Sequence, residues 1–138
     1  MTIKQISVFI ENKSGRINDV TKILAEQHIN MHAFSMAETA DFGILRLIVS
    51  DVEKAVCALS ESNFAVIQTD VVCIQCDNTP GSLSVILDSL AAENIFIEYM
   101  YAFAQGDTAH VVIRPTNMER CVEILTKRNC SMLENNTL

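Results

Sequence analysis

Two polar segments hold the residues best suited to bind a small charged molecule: Glu11-Asn12-Lys13-Ser14-Gly15-Arg16-Ile17 and Asp77-Asn78-Thr79-Pro80-Gly81-Ser82-Leu83. Each follows an alternating apolar run and precedes a helical stripe, so each falls where a strand gives way to a helix. A helix amino terminus presents N–H groups without intrahelical partners and a partial positive charge, which suits a carboxylate or a phosphate. Glycine there lets a ligand approach the backbone. The same residues also make an ordinary turn, with Asn12 and Asn78 bonding to nearby backbone, Pro80 stiffening the entry and glycine meeting a backbone requirement. Spacing alone leaves both readings standing.

Other reactive side chains are less well arranged. Cys73-Ile74-Gln75-Cys76 has the spacing of a metal or redox dithiol, but it lies in a strand, where residues three apart point to opposite faces. There is no second pair to complete a tetrahedral metal site. The five cysteines are an odd count without an export signal, so reduced, mostly buried thiols are expected rather than a disulfide framework. His28, His32 and His110 have neither metal-ligand spacing nor the partners of a catalytic triad.

Composition narrows the classes further. The 138 residues are 49% apolar and carry 10 basic against 17 acidic side chains, a net charge of -7 with no basic run. Nucleic-acid binding, which rests on clustered Lys and Arg, is therefore set aside. No apolar stretch approaches the roughly twenty residues of a membrane helix, and the first residues lack a signal pattern. A cytoplasmic protein without a membrane anchor is expected.

The elements that position the two loops come from an internal duplication. Setting Gly15 on Gly81 fixes an offset of 66 residues, and the same offset pairs Asn12 with Asn78, Leu24 with Leu90, Ala25 with Ala91, Ile29 with Ile95 and Leu59 with Leu125. Conservative pairs fill the intervals: Val8 with Ile74, Val20 with Ile86, Leu47 with Ile113. Such a period exceeds that of a solenoid, so each copy reads as a small domain, residues 1–68 and 69–138. In copy one, Gln5 to Ile10 alternates as a strand, a helix follows from Gly15, Asn30 to Ala37 and Gly43 to Val49 are strands, Ser50-Asp51 caps a second helix, and Ala65 to Gln68 closes the unit. Copy two repeats this order from Val71.

The result is β-α-β-β-α-β twice, an α+β protein of two ferredoxin-like units. Units this small leave edge strands and thin cores, and side-by-side pairing answers both problems. One continuous sheet of about eight mostly antiparallel strands is expected, with helices on one face and the other face open to a second copy. A homodimer follows from that expectation.

Val8 to Ile17 with Ile23 to Met31, and Ile74 to Leu83 with Leu90 to Ile97, resemble the opening of the ACT domain, a small amino-acid-binding regulatory module. The resemblance covers nearly the whole chain and is closer in copy two; copy one has Ser14 where proline is typical. It implies a free-standing tandem ACT protein that binds a free amino acid or close analogue at the seam between paired units and regulates a metabolic enzyme, without catalysis, cofactor or metal. One implied seam joins Asn12, Ser14, Gly15, Arg16 and Ile17 to Ile97, Glu98, Tyr99, Met100 and Tyr101. The other joins Asn78, Thr79, Pro80, Gly81, Ser82 and Leu83 to Met31, His32, Ala33, Phe34 and Ser35. Backbone N–H groups of Gly15 to Ile17 or Gly81 to Leu83 would take the α-carboxylate, with the Asn side chain and strand carbonyls on the α-ammonium. Phe34, Met36, Tyr99 and Met100 would sort ligands by shape, and His32 against Glu98 makes the two seams unequal.

Alternatives rest on less. A constitutive interaction subunit with a decayed site shares every feature above. Acylphosphatase is similar in architecture, and Arg16 with Asn12 matches its need for Arg and Asn, but copy two has Ser82 where Arg16 stands in copy one. RNA recognition lacks its aromatic and basic residues on the central strands.

Overall fold

A computed structural model of the protein describes residues 1–11, 13–38 and 41–134. The alternating runs become β1 (Ile3–Glu11), β2 (Met31–Glu38), β3 (Phe42–Val49), β4 (Ala65–Asp77), β5 (Ile97–Gln105), β6 (Thr108–Pro115) and a short β7 (Ser131–Met132). The 3.6-residue stripes become α1 (Arg16–Glu26), α2 (Val52–Glu61), α3 (Ser82–Ala92) and α4 (Met118–Lys127). These elements form two units, Lys4–Thr69 and a second that runs from Asp70 and takes in Met1–Ile3.

In the first unit the hydrogen-bonded order is β2-β3-β1-β4, with β3 antiparallel to both β1 and β2. In the second it is β5-β6-β4, all antiparallel, with β7 also on β4. Both are the split βαβ arrangement expected from the duplication. Among the described residues the strands number seven rather than about eight, because Ala65 to Gln68 and Val71 to Cys76 belong to one strand. Thr69-Asp70 between them has none of the Gly, Pro or Asn that would turn the chain, so the extended backbone continues.

Each unit has its own core, built by the period-two alternation of its strands. Ile6, Val8 and Ile10 of β1 and Leu45, Leu47 and Val49 of β3 meet Val20 and Leu24 of α1 and Ala55 and Leu59 of α2. The second core repeats the scheme with Val72, Ile74, Val111 and Ile113 against Leu90, Cys121, Ile124 and Leu125.

All four helices end in the same way. His28, Asn63, Asn94 and Asn129 adopt positive φ of 54 to 67°, the left-handed geometry in which Asn is tolerated. The N–H of the following residue then bonds back five residues, Ile29 to Leu24, Phe64 to Leu59, Ile95 to Leu90 and Cys130 to Leu125, at 2.9 to 3.0 Å. This is the Schellman closure, and it carries its usual apolar contact, since Leu24 with Ile29 and Leu59 with Phe64 belong to one core and Leu90 with Ile95 to the other.

The starts of the helices differ. At α2 the Asp51 side chain accepts from the Lys54 N–H at 3.1 Å, and at α4 the Asn117 side chain accepts from the Arg120 N–H at 3.0 Å. Gly15 and Gly81 begin α1 and α3 with no side-chain cap.

The alternate positions of the central strands, which point away from the helices, carry polar side chains as well as apolar ones. Gln5 and Ser7 of β1 and Ile48 of β3 are buried, and Gln5 Nε2 donates to Ser7 Oγ at 3.4 Å. Exposed apolar side chains include Phe34 and Met36 on β2, Met100 on β5, Phe42 on β3, Ile67 on β4 and Val85 on α3. The capping contrast is directly testable. Asp51→Ala and Asn117→Ala should each lower stability by about 1 kcal/mol in urea denaturation, by removing an N-cap acceptor.

Candidate functional site

The first loop leaves β1 with its backbone already turned: the Lys13 N–H donates to the Glu11 carbonyl at 2.7 Å, and Lys13 Nζ pairs with the Glu11 carboxylate at 3.0 Å. That ammonium holds the Glu11 carboxyl below its ordinary range. Gly15 then adopts φ 86°, a conformation that a side chain would disfavour, and a Cβ placed there would meet nothing within 4 Å. Glycine is therefore required by the turn, and the space above it is open. Arg16 N–H reaches back to the Lys13 carbonyl at 3.4 Å and Asp19 N–H to Gly15 at 3.0 Å. Among the described residues, the N–H groups of Ile17 and Asn18 have no acceptor, and they belong to the first turn of α1, its positive end.

Beside this helix start lies a cavity of about 120 Å³ lined by Ile10, Glu11, Lys13, Ile17, Met36, Glu38, Phe42 and Gly43. Its floor follows from register: Ile10 and Glu11 pair with Gly43 and Phe42 across β1 and β3, and Met36 stands opposite Leu45 across β2 and β3. Met36 lies over Gly43 so closely that its methyl occupies the place of a Cβ there. The wall is apolar through Ile10, Ile17, Met36 and Phe42, while Glu11, Lys13 and Glu38 place charge among the lining residues.

The second loop is held by its neighbour hairpin. Asn78 N–H donates to the Asp107 carbonyl at 2.8 Å, and its side-chain amide donates to the Gly106 carbonyl at 3.2 Å. Thr79 Oγ1 and Ser82 Oγ share a hydrogen bond at 2.6 Å. Gly81 has φ 89°, again with open space where a Cβ would stand, and the N–H groups of Leu83 and Ser84 lack acceptors among the described residues. At the repeat-equivalent positions of the first cavity stand Cys76, Asp77, Thr79, Leu83, Ala102, Ala104, Thr108 and Ala109, all smaller than or similar to their counterparts except Ala109 for Gly43.

The residues expected from the sequence lie on the two loops and the two outer strands. Ser14, Gly15 and Ile17 are exposed at the first loop, and Thr79, Pro80 and Gly81 at the second. Asn12 lies outside the described residues. Arg16 is turned away from an anion-clamping role, since its guanidinium lies 4.3 Å over the Phe64 ring and pairs with Asp19 at 3.1 Å. Met31 and Ile97 pack against the two cores, Ala33 is buried, and His32 and Tyr99 are half-buried. Phe34 is 64% exposed, Met100 is exposed, and Glu98 reaches Arg114 at 3.9 Å. On these outer strands, β2 pairs with β3 and β5 with β6, and no further strand is bonded to either among the described residues. Ile10, Glu38, Phe42 and Gly43 were not expected at the site. The signal that would have found them is the antiparallel β1–β3 pairing, which carries the start of β3 to the end of β1.

The cysteines do not form a Cys-x-x-Cys clamp. Cys73 is fully buried, and burial pushes its thiol up to about 12, whereas Cys76 packs on the helix-side core. Among the described residues no cluster of three or more metal-ligating side chains occurs, and no helix is long and apolar enough to cross a membrane. The two loop glycines give a measurable consequence. Gly15→Ala and Gly81→Ala should each destabilise by about 1 kcal/mol through backbone strain alone, read by urea denaturation. A change near zero would mean that the loop relaxes to negative φ.

Comparison with known proteins sets these features in a family. No curated protein matches the sequence. Among solved structures, protein BT0572 from Bacteroides thetaiotaomicron is 54% identical with a TM-score of 0.93, the match covering 96% of this chain and 92% of that one. The regulatory subunit of aspartate kinase from Thermus thermophilus shares the fold at 16% identity and a TM-score of 0.66, covering 90% and 91%. That of Thermus flavus does so at 17% and 0.60, covering 90% of each chain. A family model described as ACT domain pair matches residues 1–138, and with two ferredoxin-like units and two glycine-started helices in place, the chain belongs to the ACT domain pair family.

Proposed function

We infer that the protein is a cytoplasmic regulatory sensor for a free amino acid or close analogue, acting without catalysis, with its residues 1–68 and 69–138 as the two ACT units. The observation that carries this reading is the helix start at Gly15, uncapped and opening beside an apolar cavity. The N–H groups of Ile17 and Asn18 suit an α-carboxylate. Glu11 and Glu38 suit the α-ammonium. The cavity of about 120 Å³ is smaller than the roughly 150 Å³ in which an apolar protein cavity takes benzene, so it suits an aliphatic side chain of about four carbons.

A second copy of the chain completes the site in this reading. The strands β2 and β5 carry exposed Phe34, Met36 and Met100 and each ends the strand order of its unit, which favours strand pairing in a homodimer. Ile97 to Tyr101 or Met31 to Ser35 of the partner would then face the loops. Ligand that binds better to the closed pair shifts the pairing equilibrium, and a partner metabolic enzyme would read that shift. The two sites differ, since Met36, Glu38 and Phe42 in the first correspond to Ala102, Ala104 and Thr108 in the second.

A thermal-shift panel of amino acids tests the reading. Leucine, isoleucine, valine or methionine at a hundred times its dissociation constant should add about 2.7 kcal/mol and raise the midpoint by several degrees. Ile17→Glu should remove that response while leaving the unliganded melt nearly unchanged, because the added carboxylate occupies the helix start and suits its dipole. No shift with any amino acid, from a cooperative melt, would leave a constitutive interaction subunit as the function.

A further inference from the structure

The register of β7 on β4 places two cysteines face to face. Ile74 pairs with Met132 and Gln75 with Ser131, so the next pair in the antiparallel ladder is Cys76 with Cys130. The Leu133 N–H donates to the Cys73 carbonyl at 2.9 Å, which makes Cys73 with Leu133 a hydrogen-bonded pair. Alternation along the ladder then makes Cys76 with Cys130 a non-hydrogen-bonded pair, the kind in which Cα atoms approach to about 4.5 Å and side chains stand closest. That separation lies within the disulfide range of about 4.4 to 6.8 Å.

The duplication supports the juxtaposition independently. The residues equivalent to Cys76 and Cys130 in the first unit are Ile10 and Phe64, and both belong to one core cluster. Cys130 also follows the left-handed Asn129, and its N–H is tied to Leu125, so its backbone is fixed by the helix closure. Both thiols are half-buried against the second core and both are free. Burial and the neighbouring Cys76 thiol raise Cys130, against the opposing charge of Arg128.

We propose that Cys76 and Cys130 form a reversible cross-strand disulfide, a modification site that ties the two-residue strand β7 to β4 at the base of the second ligand loop. The oxidant is a peroxide. One thiolate attacks the O–O bond of hydrogen peroxide, becoming a sulfenic acid and releasing hydroxide; the second thiolate attacks that sulfur, forming the S–S bond and releasing a second hydroxide, and the two thiol protons convert both hydroxides to water. Two thiols and one peroxide thus give one disulfide and two waters, and a dithiol reductant returns both thiols. The other cysteines do not compete on the same terms. Cys73 and Cys121 are fully buried, and the exposed Cys57 is held in its thiol form by the Glu61 carboxylate.

The test uses the wild-type chain, oxidised with a small excess of hydrogen peroxide, blocked by alkylation and mapped as peptides without reduction, with fragmentation to separate Cys73 from Cys76. An intramolecular Cys76–Cys130 link, absent after dithiothreitol, is expected as the main product. The oxidised protein should melt several degrees higher, because the link closes a long loop in the unfolded chain, and amide exchange at Leu133 should slow. Cys57→Ser should leave the link intact. Recovery of Cys76 and Cys130 as separate alkylated or over-oxidised residues, or only in links between chains, would overturn the proposal. The readout needs no amino acid, so its failure is distinct from failure of the sensor reading.

Discussion

Everything in the two units hangs on how their helices stop. Each of the four helices closes with a left-handed His or Asn and a backbone bond from the next residue to a leucine five positions earlier. That closure reverses the chain within two residues and drops an apolar side chain, Ile29, Phe64 or Ile95, onto its own leucine. The strand that follows therefore begins in register with the core. With short connections fixed at the carboxyl ends, variation is left to the amino ends, and there the helices divide into two kinds. Those capped by Asp51 and Asn117 spend their free N–H groups internally, and those started by Gly15 and Gly81 keep theirs available.

Much of this was legible in the chain. The offset that pairs Gly15 with Gly81 also pairs Leu24 with Leu90 and Leu59 with Leu125, so the leucines that receive the closing bonds were marked by the repeat itself. Alternation located every strand to within a few residues, because each strand buries one side on its helices. The positions of Ser14, Gly15 and Ile17 on the first loop followed from the same pattern. Thr69-Asp70 was harder, since two polar residues between apolar runs look like a break. They continue as strand because nothing in the pair bends the backbone.

The lining of the first cavity was not legible, for a physical reason. Phe42 and Gly43 reach Glu11 and Ile10 only through antiparallel pairing, and a side chain such as Met36 earns its place there by the absence of a Cβ at Gly43. Such cross-strand neighbours are separated by some thirty residues of sequence. The cysteines teach the same lesson in reverse. Cys73 and Cys76 are close in sequence and point apart, whereas Cys76 and Cys130 are far apart in sequence and meet across a ladder.

The uninterrupted β4 places an arithmetic constraint on how this chain can vary. Val66 packs on the first core and Val72 on the second, each held to its face by period-two alternation along one strand. Within the second half, inserting or deleting a single residue between Val72 and Ile74 would turn one of them away from the core that both enter, while a change of two would preserve the face. Each half of β4 is thus governed by parity as much as by composition. Between its core-facing side chains, its length is free to change only in even steps.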